Sequence, residues 1–383
     1  MLSPRNPLLG LAGLIALIVA AGVFSACSQG SDYVVTDTPL GTPTPSGNLS
    51  AAACPGADAA KELTAAGATF PDPLYEDWFS RWNNLCGIKV NYQAIGSGGG
   101  IQQTLAKTVD FGASDAIMTP DEKGQADGVI HQIPMTSDAV AVIYNVATIE
   151  NLSMKLDGPT LAEIYLGKIT KWDDPKIKAL NPKIFLPSDD ITVVHRADGS
   201  GTTAIFTNYL SEVSDEWKND VGTATSVNWP VGLGGNGNSG VAGQVQQLPN
   251  TLGYVSLAYA KQNHISYVKM INSSGNAIEP TIKSAEAAQS GVTIPDDTEV
   301  LITNSSNPDA YPISGFTWLL VYAEQEDKQK AQSLAALIKW MLTDAQQFCE
   351  ALDYVPLSDA AVEKAMGELE NTTYQGTPIT QLQ

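Results

Sequence analysis

Three times along this chain an apolar run that reads as a buried strand ends in glycine and small hydroxyl residues and gives way at once to a helix. The junctions are Ala66-Gly67-Ala68-Thr69-Phe70 before Pro71, Gly96-Ser97-Gly98-Gly99-Gly100, and Arg196-Ala197-Asp198-Gly199-Ser200-Gly201-Thr202. Strand alternating with helix implies an α/β class, with parallel sheets covered on both faces. In such sheets these junctions share the C-terminal edge of the strands, where open α/β folds bind ligands. A further strand, Phe111-Gly112-Ala113-Ser114-Asp115, delivers a carboxylate to the same edge. Any one of these stretches alone reads as an ordinary turn. Together they aim three helix N-termini, at about Thr69, Ser97 and Ser200, at one Arg and one Asp.

The Arg196 stretch carries the most chemistry. It follows the strand Ile191 to Val194 and opens onto a helix from Thr203 to Val213. Its tight turn points the Ser200 and Thr202 hydroxyls and several unpaired backbone N–H groups at one place, and the helix dipole favours negative charge there. Arg196 adds a planar fork of donors matched to a tetrahedral oxyanion, and Asp198 is placed to hold that guanidinium. The plain alternative is a strand-to-helix turn with a surface Arg-Asp pair. His195 points to the opposite face from Arg196 and reads as a packing histidine.

The formal charge of −20 excludes nucleic acid and anionic membrane surfaces as partners. It also means that an anion site here works through short, dehydrated hydrogen bonds and local dipoles, because the long-range field is repulsive. Residues 1–26 read as an export signal: after Arg5 no charge occurs from Asn6 to Ala26, and Leu8 to Phe24 is mostly apolar. Ser25-Ala26-Cys27 resembles the site at which lipoprotein signals are cut and the cysteine acylated, although Phe24 stands where an aliphatic residue is usual. Residues 27–57 are rich in Ser, Thr, Pro, Gly and Ala and read as a flexible tether. The remainder is long enough for two domains of ~100 to 200 residues each.

Cys54 lies just before the first strand, Glu62 to Ala66, and Cys86 just before the second, Ile88 to Ile95, so a parallel sheet puts both at one edge. That favours a Cys54–Cys86 disulfide in an oxidising compartment, a closure worth ~3 to 4 kcal/mol. Cys349 reads as a buried thiol in a C-terminal helix. The cysteine spacing and the scattered His131, His195 and His264 match no zinc pattern, so no metal and no cofactor are expected.

Two long apolar runs, His131 to Asn145, broken near Pro134 to Asp138, and Tyr311 to Tyr322, look able to pass from one domain to another. Between them lie a helix from Thr160 to Leu166, the Lys171 to Asp174 turn and a Gly-Asn-rich loop. After them come helices from about Glu326 to Leu352 and Asp359 to Leu369. Gly232-Leu233-Gly234-Gly235-Asn236-Gly237 has the spacing of a dinucleotide fingerprint but lacks a strong preceding strand and a downstream acid at the right distance. No Gly-x-Ser-x-Gly elbow occurs.

With these residues laid out, the chain closely resembles the bacterial periplasmic phosphate-binding proteins that feed an ATP-binding-cassette importer. The resemblance rests on Leu63 to Pro71, Gly96 to Gly100, Val109 to Asp115, Tyr165 to Ile169, Arg196 to Thr202 and Trp229 to Gly235. It implies a type II periplasmic-binding fold: two lobes with mixed sheets flanked by helices, joined by a two-segment hinge. Lobe I would comprise 58–136 with 313–383, and lobe II 137–312. Carried over by motif, inorganic phosphate would be held by Thr69, Phe70 through its backbone, Ser97, Asp115, Arg196, Ser200, Gly201 and Thr202, with Asp198 orienting Arg196. Gly98 departs from the family, which often has Ser or Thr there. The implied function is an extracytoplasmic receptor, not an enzyme, that hands phosphate to permease subunits. It would act as a monomer at the outer face of the cytoplasmic membrane or in the periplasm, touching the membrane only through its lipid. A secreted phosphatase, or a receptor for another tetrahedral oxyanion, remains as the alternative.

Overall fold

The structure is a computed structural model that describes residues 53–150 and 152–382. The expected signal segment 1–26, Cys27 and the tether up to residue 52 lie outside the described residues. In chain order the first elements are β1 (Glu62–Gly67), α1 (Asp72–Cys86), β2 (Lys89–Ala94), α2 (Ser97–Leu105), β3 (Phe111–Ser114), α3 (Pro120–Gln125) and β4 (Ile130–Asn145). They continue with β5 (Lys155–Asp157), α4 (Gly158–Tyr165), α5 (Pro175–Leu180), β6 (Thr192–Arg196), α6 (Gly201–Val213), α7 (Asp215–Asp220), β7 (Leu233–Gly235), α8 (Gly237–Gln247), β8 (Thr251–Ser256) and α9 (Leu257–Gln262). The last part holds β9 (Ser266–Tyr267), β10 (Lys269–Ile271), β11 (Ala277–Ile278), α10 (Ile282–Ser290), β12 (Ser314–Tyr322), α11 (Lys328–Leu342) and α12 (Asp359–Glu370).

Local chemistry explains these bounds. Helix α1 starts behind Pro71, where a missing N–H costs nothing, buries Leu74, Tyr75, Trp78, Phe79 and Trp82 along one stripe, and stops at Gly87 in the left-handed region with φ 65°. Cys54 and Cys86 form a disulfide across the start of the sheet. Cys54 falls inside the stretch 27–57 expected as a tether, and this bond fastens it to the body.

The main sheet runs β2-β1-β3-β12-β4-β8-β6-β7, with β9 also on β4. The sequence implied parallel sheets, and that holds only at the two ends: β2, β1 and β3 are parallel, as are β8, β6 and β7. In the middle β12 is antiparallel to both β3 and β4, and β4 to β8. The reason is that β4 and β12 are buried on both faces, so their near-continuous apolar pattern carries no mark of direction. β4 is not broken near Pro134; the sheet absorbs that residue through a register shift at Thr317/Trp318 opposite it.

β4 is also the strand that ties the halves together. Its residues Ile130 to Ala139 pair with β12, and Val140 to Asn145 pair with β8. Beside that change of partner the chain before β12 returns, with Val140 N donating to Ile313 O at 2.7 Å. A core lies to each side. One is built from β1, β3, β12, α1 and α11, with Trp82 against Trp340 at 5.4 Å. The other surrounds β8, α4 and α6, with Phe206 stacked on Tyr254 at 4.2 Å. Each large side chain so buried contributes roughly 1.5 to 3 kcal/mol. The C-terminal helix expected over Glu326 to Leu352 ends at Leu342 and passes into two short 3-10 turns, Asp344–Phe348 and Glu350–Leu352.

Candidate functional site

Ser97 opens α2, and Gly201 and Thr202 open α6, so their backbone N–H groups have no acceptor within their own helices. Ser200 is the N-cap of α6; its Oγ accepts from Thr203 N at 3.1 Å and its own hydrogen stays available for donation. The two helix starts meet head on. A Cβ added at Gly201 would lie 2.5 Å from both Ser97 Oγ and Asp115 Cβ, so only glycine lets α6 approach that closely. Gly98 N donates to Gly199 O at 3.0 Å, and a Cβ at Gly98 would stand 3.0 Å from Gly199 Cα, too tight for a larger side chain without movement.

Asp115 follows β3 and is 1% exposed. Its Oδ1 accepts from Thr317 Oγ1 at 2.8 Å, its Oδ2 lies 3.4 Å from Ser97 Oγ, and its backbone N donates to Ser97 Oγ at 3.1 Å. Burial pushes its pKa up to about 7, against the pull of the Thr317 hydroxyl, Arg196 and Ser97. Arg196, the last residue of β6, is 3% exposed. Its Nε donates to Asp198 Oδ1 at 2.7 Å and its Nη2 to Asp198 Oδ2, which turns the Nη1 edge inward, 3.4 Å from Thr202 Oγ1. Burial alone would raise the Asp198 pKa, but the hydrogen bonds and charge of Arg196 hold it below its ordinary value. Asp198 Oδ1 also accepts from Gly237 N at 3.0 Å.

Thr69 lies between β1 and α1, and α1 itself begins at Asp72, slightly later than expected. Its carbonyl accepts from Tyr259 OH at 2.8 Å, while the Phe70 carbonyl accepts from Tyr354 OH at 2.7 Å. The Phe70 ring is fully buried in the core on the β8 side. His195 stacks on Trp229 with centroids 4.7 Å apart, away from the hydroxyl cluster, and its Nδ1 lies 3.0 Å from Arg196 O. Ser97, Ser200 and Thr202 are all 0% exposed, so hydrogen bonds made here are shielded from water.

Thr69, Ser97, Asp115, Arg196, Ser200, Gly201 and Thr202 are thereby brought into one buried cluster, with Phe70 adjoining through Thr69. Three residues of the neighbourhood went unread in the sequence. Asn238, in the segment taken for a loop, is in the first turn of α8; it donates to Thr69 Oγ1 and Thr202 Oγ1. Thr317 interrupts the apolar run of β12, a visible signal, but its partner Asp115 is 202 residues away. Asp138, at the change of partner in β4, is a buried carboxylate whose Oδ2 accepts from Ser256 Oγ at 2.7 Å and Leu257 N at 3.1 Å. Burial pushes its pKa up to about 8. Among the described residues no group of three or more His, Cys, Asp or Glu side chains converges on a metal position. What the cluster offers is donors for a small anion, with one carboxylate as the exception.

Residues 52–345 match the PBP superfamily domain. The chain is 43% identical over 300 residues to the phosphate-binding protein PstS of Haemophilus influenzae, covering 78% of this chain and 89% of that protein. It is 42% identical over 305 residues to the protein of the same name from Xylella fastidiosa, covering 79% and 83%. The crystal structure of a phosphate-binding protein from Stenotrophomonas maltophilia superimposes with a TM-score of 0.65 at 18% identity, covering 84% of this chain and 97% of the other. The fold is thus the type II periplasmic-binding α/β fold.

Proposed function

Given that this chain belongs to the PBP superfamily, and within it to the family of the PstS phosphate-binding proteins, we propose that it is a periplasmic receptor that binds inorganic phosphate and supplies it to an ATP-binding-cassette importer. One arrangement supports this reading: the first turns of α2 and α6 meet beside Asp115, and Asn238 links Thr69 Oγ1 to Thr202 Oγ1 next to Nη1 of Arg196, which gathers the donors of an anion seat in one buried neighbourhood. A tetrahedral oxyanion is the ligand such a set fits. Asp115 is the lone acceptor among them and narrows the choice to an oxyanion that still carries a proton.

The finer reading follows from that role. The proposed ligand set is Thr69, Phe70, Ser97, Asp115, Arg196, Ser200, Gly201 and Thr202, with Asp198 holding Arg196. The proposed lobes are 58–136 with 313–383, and 137–312; the change of partners in β4 and the return of the chain at Tyr311 to Ile313 support a two-segment hinge between them. Cys27 would carry the lipid, and the partner would be the importer's permease subunits, met by a monomer. The test is calorimetric titration of the purified protein with phosphate, arsenate and sulfate. Tight binding of the first two without the third is expected; binding of sulfate as tightly as phosphate would overturn the assignment.

A further inference from the structure

We propose that Asn238 is a positioning residue that fixes the polarity of two site hydroxyls, Thr69 and Thr202, so that both offer O–H and neither offers a lone pair to the bound anion. The inference deepens the reading of the cluster as an oxyanion seat and rests on it.

A threonine hydroxyl is both donor and acceptor, so on its own it does not favour an anion. Asn238, 0% exposed, removes that freedom. Its amide has one possible orientation, because the backbone N–H of Ser256 can only donate and lies 2.9 Å from Oδ1. Nδ2 therefore spends its hydrogens on Thr69 Oγ1 at 3.0 Å and Thr202 Oγ1 at 3.2 Å. Thr69 Oγ1 receives a second donor, Asn238 N at 3.2 Å, and Thr202 Oγ1 a second, Arg196 Nη1 at 3.4 Å. Both lone pairs of each oxygen are thus engaged, and among the described residues neither hydroxyl hydrogen has a protein acceptor.

The consequence is chemical. Two ambivalent groups become fixed donors, and with Thr202 fully buried, water does not compete to turn it around. Asp115 is then the one place where a proton on the ligand finds an acceptor. Asn238 also spans from the end of β1 to the start of α6, so it registers the two sides of the seat against each other.

The test is a double-mutant cycle read by phosphate titration, with each variant's fold confirmed by circular dichroism. Asn238→Asp keeps the shape and reverses the polarity, so both hydroxyls turn to donate to it; we expect affinity to fall by at least about a hundredfold. Asn238→Ala lets the hydroxyls rotate and is expected to cost about tenfold. With Thr69→Val already present, the cost of Asn238→Asp shrinks by about tenfold or more, since one of the hydroxyls it misdirects is gone. Equal costs in both backgrounds, or Asn238→Ala proving the more harmful single change, overturn the inference. Should Asn238→Asp fail to fold, the same cycle is run with Asn238→Ala, whose cost is expected to fall below about threefold in the Thr69→Val background; an unchanged cost overturns the inference equally. Wild-type protein that takes no phosphate overturns the receptor reading itself, whereas additive costs in a wild type that binds phosphate overturn the role of Asn238 alone.

Discussion

Replacing Asp115 by Asn should lower the preference for phosphate over sulfate expected of this protein. In the structure Oδ1 of Asp115 is held by the Thr317 hydroxyl at 2.8 Å, and Oδ2, beside Ser97, is the oxygen proposed to face the anion. An ionised carboxylate there only accepts, so it pairs with the P–OH of phosphate near neutral pH, while sulfate brings an unprotonated oxygen against it. Two such charges ~4 Å apart at an effective dielectric of ~20 repel by roughly 4 kcal/mol, and the missing hydrogen bond adds to that. Asparagine keeps its oxygen toward Thr317 and turns its NH2 to the anion. We expect the phosphate-to-sulfate preference to fall by about a hundredfold, or ~2.7 kcal/mol, in competition titrations at fixed ionic strength. Because burial brings Asp115 to a pKa of about 7, the wild type should show the same loss on acidification: below that pH the protonated acid donates, and sulfate competes better. An unchanged ratio in a folded Asp115→Asn protein, and a ratio indifferent to pH between 8 and 5, would refute the reasoning.

Other outcomes follow from the same geometry. Arg196→Ala removes at least one charge-assisted hydrogen bond to the anion, each worth ~1.5 to 3 kcal/mol, and should weaken phosphate binding at least tenfold by calorimetry. Asp115 and Asp138 both have folded pKa values raised from 3.8, to about 7 and about 8. The fold therefore holds their protons more tightly than the unfolded chain does. Their contribution to stability is complete below about 3.8 and is lost as pH rises through those values, so the melting temperature of ligand-free protein should fall between about pH 4 and 8. Asp138→Asn should flatten that fall in scanning calorimetry. Cys54→Ser opens a loop closed across a separation of 32 residues and should cost ~3 to 4 kcal/mol in denaturant unfolding while leaving phosphate affinity unaltered. Cys27→Ser should release the protein from membranes in cell fractionation and leave its affinity unchanged.

Much of the candidate seat was legible because its parts are local. A strand, a glycine turn and a helix start stand within a few residues of each other at Gly96 to Gly100 and Arg196 to Thr202, and the Arg196–Asp198 pair is separated by only two positions. What was not legible depends on distant pairings. Thr317 earns its place only because β12 runs antiparallel to β3, which sets Trp318 opposite Ser114. Asn238 directly follows the glycine-rich run Gly232 to Gly237, whose glycines let β7 turn into α8 and bring the amide to Thr69 and Thr202, two contacts that nothing local in the sequence marks. The end of α11 at Leu342 was missed because the apolar spacing continues through Phe348 into short turns that pack on the same core.

The central claim, that one buried place holds phosphate through donors from both sides and returns one acceptor to it, is tested most directly by a crystal structure of the protein grown with phosphate. The account predicts an anion within hydrogen-bonding distance of Arg196, the Thr69, Ser97, Ser200 and Thr202 hydroxyls and the N–H groups of Phe70, Gly201 and Thr202, with one oxygen against Asp115 Oδ2. An anion seated elsewhere, or one that turns no oxygen toward Asp115, would contradict it.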